Sequence, residues 1–223
     1  MTVDRIYILM QYAVNKNQQG YLSPEDFYTV INTAQNQYLD YLLGEYQKQQ
    51  IGRPIPVVSF GQNQKLRTSI SPLIYNIVLN PNAVTGIAAF PSDFELVDAM
   101  WSVYGVYNIR FAQQDSLNSY YRSSIDPIAE NPIYLIQHEG FHFYPENIGQ
   151  TRMSYVRTPP SIVWGYVLDS NGEPVYNPAA SQQPVWGDMD MMEIIVRALQ
   201  LVGVNLQMAN VMQYANDVKN NGQ

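Results

Sequence analysis

Apolar residues recur at Val3, Ile6, Tyr7, Met10 and Val14, separated by polar or smaller residues. Steps of three and four place them on one face of a helix, so a helix is predicted from Thr2 to about Asn15. Lys16 to Gly20 is polar and ends in glycine, a helix stop. Ser23-Pro24-Glu25-Asp26 then opens a second helix. The serine caps, the proline fits the first helical position, and the two carboxylates sit in the first turn. Phe27, Val30, Ile31, Ala34, Tyr38 and Leu42 form its apolar stripe, read as core, and the helix is expected to reach about Gln49. The two helices are expected to pair as an antiparallel hairpin over residues 1–50.

Residues 51–86 read as a connector. Gly52 to Gln62 is broken by prolines, Lys65 to Ile74 holds a short helix or turn interrupted by Pro72, and Asn80-Pro81-Asn82 is a turn. From Ile87 the period changes to two. Phe94 to Tyr104 and Val106 to Ala112 are expected as antiparallel strands meeting near Gly105, followed by a short helix or structured loop from Gln113 to Ser123. Met153 to Arg157 is a strand stopped by Pro159-Pro160. Ile162 to Leu168 and Pro174 to Tyr176 flank Ser170-Asn171-Gly172, a hairpin turn. An antiparallel β unit over residues 87–180 follows. Over residues 181–223, Met191, Ile194, Ile195, Ala198, Leu201 and Val202, and then Leu206, Ala209, Val211, Met212 and Ala215, predict a long helix capped by Asp188 and kinked near Gly203. The fold class is α+β: N-terminal helical hairpin, antiparallel β unit, long C-terminal helix, with the helices packing together as one compact domain.

The stretch of greatest chemical interest is Asn131 to Glu146, NPIYLIQHEGFHFYPE, which contains both histidines in the spacing H-E-x-x-H. On a helix, that spacing is the signature of a zinc hydrolase, with His138 and His142 as ligands and Glu139 as base. Here Gly140 lies inside the motif, Pro132 and Pro145 bracket it, and YLIQ and FHFY favour strand. A β-hairpin is therefore expected. A two-residue turn at Glu139-Gly140 would set Ile136 opposite Phe143 and His138 opposite Phe141, with Tyr134 and Ile136 on the inward face and His142 on the other. A three-residue loop would instead set His138 opposite His142. Asp188, Asp190 and Glu193 could suggest a cation site, but carboxylates in a first helical turn more often serve the cap and the helix dipole. Asp93 reads as a turn former.

Composition narrows the alternatives. Across 223 residues, 46% are apolar and 14% charged, with 18 tyrosines and no cysteine. A packed core is affordable, and disulfide scaffolds and thiolate chemistry are excluded. A net charge of −7 argues against a phosphate-binding groove. No run of about 18 apolar residues predicts a membrane span. The N-terminus reads as a helix of the mature protein rather than a signal peptide, because Asp4 adjoins Arg5 and Gln11 and Tyr12 interrupt the apolar run. Many tyrosines with few charges suit a protein engaged in extensive protein contacts. No Walker loop, dinucleotide fingerprint or nucleophile elbow is present.

The segment NKNQQGYLSPEDFYTVINTAQNQYLDYLLGEY resembles the N-terminal helices of virion proteins from tailed phages, notably the crAss-like phages of Bacteroidetes and related short-tailed marine phages. FPSDF, the NPIYLIQHEGFHFYPE hairpin, MSYVRTPP and the C-terminal helix extend the likeness over most of the chain. The resemblance implies a non-enzymatic head–tail connector or adaptor in the virion. Such proteins form homo-oligomeric rings of about twelve subunits against the portal protein and neighbouring tail or ring proteins. It implies no catalytic, cofactor-binding or metal-ligating residue, no cofactor, no specific nucleic-acid sequence and no membrane. Contact surfaces are expected at the strand end and its exit, Arg157, Pro159 and Trp164, and on the terminal helix at Leu206, Met208, Met212 and Tyr214. A minor capsid or tail-tube protein of the same virion is the alternative, and a zinc hydrolase the alternative from another class.

Overall fold

The computed structural model describes residues 1–16, 20–50, 58–103, 107–122 and 126–203. In chain order, the helices are α1 (Val3–Lys16), α2 (Pro24–Gln50), α3 (Val58–Ile70), α4 (Leu117–Arg122) and α5 (Asp188–Leu201). The strands are β1 (Ile74–Leu79), β2 (Ile87–Ala88), β3 (Phe94–Ser102), β4 (Arg110–Phe111), β5 (Ile133–Gln137), β6 (Gly140–Tyr144), β7 (Thr151–Arg157), β8 (Tyr166–Leu168) and β9 (Pro174–Tyr176). The class is α+β, with helices toward both ends and largely antiparallel sheets between them. The chain divides into two compact units. One comprises Met1–Ser69 with the chain from Pro159 onward, and the other is Ile70–Thr158.

In the helical unit, the expected stripe of α1 is the buried one: Val3, Ile6, Tyr7, Met10 and Val14 are all in the core. On α2, Phe27, Ile31, Ala34, Tyr38 and Leu42 are buried and Val30 half-buried. The start of α2 follows its sequence: the Ser23 hydroxyl accepts the Asp26 amide at 3.1 Å and donates to the Asp26 carboxylate at 2.6 Å. The principal helix–helix partner of α2 is α5, which also packs on α1. The two N-terminal helices thus share a third helix instead of relying on each other, although Tyr7 meets Phe27 edge-on at 5.1 Å. On α5, Met191, Ile194, Ile195 and Ala198 are buried as expected. The next buried position is Leu199, and Leu201 is exposed. The helix ends at Leu201, where Gly203 is left-handed (φ +74°) and its amide donates back to the Gln200 carbonyl at 3.1 Å; the expected continuation through Leu206, Ala209, Val211, Met212 and Ala215 lies outside the described residues. Its first turn is capped from Gly187, while Asp188 is already helical.

In the β unit, β7 is the centre of a three-stranded antiparallel sheet ordered β1-β7-β3. A second sheet is ordered β2-β6-β5-β4. The strand β1 falls inside the expected connector. The chain after β3 behaves as expected only at first: Asn108 bridges Trp101, and the Ile109 amide donates to the Met100 carbonyl at 2.9 Å. The chain then changes sheets, and β4 runs parallel to β5. Met100, Met153 and Tyr155 from the first sheet and Tyr134, Phe141 and Phe143 from the second meet in one core. The expected meeting point near Gly105 lies outside the described residues.

Candidate functional site

The H-E-x-x-H stretch is a hairpin, β5–β6, and not a helix. Its register differs from the expected one. Tyr134 faces Phe143, Leu135 faces His142, Ile136 faces Phe141 and Gln137 faces Gly140, so the turn is His138-Glu139. Sliding the turn by one residue changes each partner by two, and side-chain direction has period two. The inward set survives only in part: Tyr134, Phe141 and Phe143 are buried, but Ile136, expected inward, is 49% exposed, and Leu135 on the other face is buried. Gly140 explains the shift. Its φ is +140°, and a Cβ there would lie 2.2 Å from the Ala88 carbonyl oxygen of β2. This glycine serves the close approach of a third strand, and the turn falls on the residues before it.

The consequence for metal chemistry is direct. His138 is exposed in the turn, and His142 lies mid-strand between Leu135 and Ile87. They do not form a cross-strand pair. The His142 Nε2 is buried without a hydrogen-bond partner among the described residues. No group of three or more His, Asp or Glu side chains among the described residues is placed to hold a metal ion. The acidic residues of α5 are dispersed to separate partners. Asp188 accepts the N-terminal ammonium of Met1, which holds its carboxyl below the usual range. Asp190 accepts the Tyr38 hydroxyl at 2.7 Å, and Glu193 pairs with Arg197 at 3.4 Å. Burial first, and then the Asp190 carboxylate, push Tyr38 well above the ordinary phenol range. Asp93, at its turn, accepts the Tyr155 hydroxyl at 2.9 Å.

The expected contact residues are placed unevenly. Arg157 ends β7 with its guanidinium 4.1 Å above the Tyr75 ring. Pro159 is buried, and so is Trp164. Little of either side chain therefore reaches solvent in the single chain. Trp164 stacks on Tyr7 at 4.2 Å and on Tyr166 and Tyr176 at 5.9 Å, and its Nε1 donates to Asp4 at 3.1 Å. The segment leading to it is tied to α2 by two amides. The Asn32 carboxamide accepts the Ile162 amide at 2.8 Å and donates to its carbonyl at 3.0 Å. Gln35, 1% exposed, donates to the Pro160 carbonyl and accepts the Trp186 indole N–H, both at 3.1 Å. Leu206, Met208, Met212 and Tyr214 lie outside the described residues.

What this scaffold presents is apolar. The β8–β9 ribbon rises from the Trp164 stack with Val167 52%, Leu168 64% and Val175 49% exposed. Its tip is ordered by Asp169, whose carboxylate accepts the amides of Asn171 at 2.8 Å and Glu173 at 2.9 Å. Those bonds lower its pKa. Beside α1 and α5, Ile8, Leu9, Tyr12 and Met192 line an open groove together with Met1 and the charged Arg5. The chain matches no model of a known protein family and no curated protein. No described helix is long and apolar enough to cross a membrane. Sequence reasoning located the ribbon as a hairpin but assigned contact to the tryptophan beneath it. The available signal was the lack of any polar face in Tyr166 to Leu168 or Pro174 to Tyr176.

Proposed function

We propose that this chain is a non-enzymatic structural protein of a phage virion, a connector or adaptor subunit that forms a ring at the head–tail junction against the portal protein. The observation that carries the reading is the β8–β9 ribbon, a two-stranded sheet whose Val167, Leu168 and Val175 side chains are left in solvent. A two-stranded ribbon is marginal by itself, and exposed apolar side chains on it are covered at little cost by a neighbour's surface. The Ile8, Leu9, Tyr12 and Met192 groove adds a second apolar surface on the same helical unit. The low content of charge fits the interior of an assembly, where charged residues are depleted, and the likeness to tailed-phage virion proteins supplies the location.

The test is association. The purified chain is followed by light scattering with rising concentration, alone and with the portal protein, and complexes are viewed in projection. A closed ring is expected, and Leu168→Glu is expected to abolish it while leaving the far-ultraviolet spectrum unchanged. A chain that stays monomeric with the portal and neighbouring tail proteins refutes the proposal. So does a Leu168→Glu variant that assembles like the parent.

A further inference from the structure

Two arginines of this chain sit over tyrosine rings. Arg157 sits 4.1 Å above the ring of Tyr75. Arg197 sits 5.0 Å from the ring of Tyr41 and 5.7 Å from that of Tyr38, with the Glu193 carboxylate 3.4 Å from its guanidinium. The second seat is two tyrosines and a carboxylate around one cation. That arrangement joins the ring quadrupole to a formal counter-charge, and the planar guanidinium is the cation best matched to both.

The β unit brings together the same residue types, two tyrosines and a carboxylate, with no arginine among the lining residues. Beyond β6 and beside α4, an open cleft of about 330 Å³ is lined by Tyr121, Tyr144, Pro127, Pro145 and Glu146. The two tyrosine rings stand edge to face, with centroids 6.2 Å apart and planes at 88°. Tyr121 is 52% exposed. Neither Glu146 nor the nearby Asp126 has an ion-pair or hydrogen-bond partner among the described residues. The Tyr121 hydroxyl is held protonated above the ordinary phenol range, first by burial and then by the facing Tyr144, Glu146 and Asp126. The lining carries the Glu146 carboxylate among aromatic and proline faces, and the cleft opens to solvent.

We propose that this cleft receives an arginine side chain presented by a partner protein, seated against the exposed side of the Tyr121–Tyr144 pair and beside the Glu146 carboxylate. Charge complementarity selects a cation, and the internal Arg197 seat selects guanidinium over ammonium. The inference is independent of the ring proposal, because it concerns a side-chain pocket and not a mode of assembly.

The experiment titrates N-acetyl-arginine amide into the full chain while the Tyr121 and Tyr144 ring resonances are followed, with the lysine and citrulline analogues in parallel. A single side chain is expected to bind weakly, with a Kd on the order of 1–10 mM, and citrulline at least about tenfold more weakly. Glu146→Gln and Tyr121→Ala, both at exposed positions, are each expected to weaken arginine about tenfold or more while the remaining spectrum stays native. Lysine binding as tightly as arginine overturns the guanidinium assignment. Equal binding of citrulline, an unchanged Glu146→Gln titration, or no saturable shift by about 50 mM overturns the site.

Discussion

Gly140→Ala tests the account of the hairpin most severely. The substitution adds one methyl group where φ is +140°, a backbone region nearly reserved to glycine, at a cost of about 1–3 kcal/mol. The new Cβ would also lie 2.2 Å from the Ala88 oxygen, 2.9 Å from its carbonyl carbon and 3.1 Å from the Ala89 Cα. All three are backbone atoms, so no side chain can swing aside, and β2 must move away from β6. That gives up the pairings of Ile87 with His142 and Ala88 with Phe141 and strains the 2.9 Å bond from the Phe143 amide to the Gly86 carbonyl. At about 1 kcal/mol for each hydrogen bond lost, the whole effect is about 3–5 kcal/mol. This is a large fraction of the ~5–15 kcal/mol that holds an ordinary domain together. The control is Gly172→Ala, where φ is +82° but a Cβ meets nothing within 4 Å. It carries backbone strain alone, about 1 kcal/mol. Urea unfolding gives both free energies, and amide exchange at Phe141 and Phe143 localises the effect. A Gly140→Ala variant within about 1 kcal/mol of Gly172→Ala would refute the close-approach argument.

Three further outcomes follow from the packing. Gln35→Leu strands the Trp186 indole N–H and the Pro160 carbonyl, and is expected to cost about 2–5 kcal/mol in urea unfolding; a loss under about 1 kcal/mol would show that the amide does not pin that segment. Trp164→Ala removes the centre of the aromatic stack under the ribbon and is expected to cost about 3–5 kcal/mol, whereas Trp164→Phe keeps part of the stack and loses the bond to Asp4. Near-equal losses for the two would refute stacking as the larger contribution. Burial pushes the Tyr134 hydroxyl up to about 12. Because the folded pKa is the higher one, its contribution is complete below about pH 10 and is lost as pH rises toward the folded value, by about 2–3 kcal/mol. Tyr134→Phe should flatten that alkaline loss in melts taken at successive pH values, and an unchanged slope would refute the assignment.

The helical faces were legible because a helix buries residues by local spacing. Every apolar position of the α1 stripe is in the core. The end of α5 was half legible: Gly203 was visible as an interruption, but whether glycine bends a helix or stops it depends on its φ. The sheet partners were largely illegible. Ile74 to Leu79 sits between Pro72 and Asn80-Pro81, so it looked like connector, and its partner β7 lies far along the chain. The parallel pairing of β4 with β5 has no local signal either. The hairpin illustrates the limit. Alternation gave Tyr134, Phe141 and Phe143 as inward but misplaced Ile136, and the register followed from the approach of Ala88, a contact that no stretch of Asn131–Glu146 encodes.

The division of the chain sets an order of events on the ribosome. The helical unit is discontinuous: α1 and α2 are made first, but α5, Trp164 and Trp186, which complete their core, emerge only after the whole of Ile70–Thr158. That inserted unit is continuous, and the pairing of Ile74 with Val156 holds its entry and exit side by side. It is free to fold as soon as it clears the exit tunnel, since domains fold as units during synthesis. Until then α1 and α2 carry uncovered apolar stripes. The nascent chain is therefore expected to pass through a state in which the second unit is finished while α1 and α2 still expose their apolar stripes.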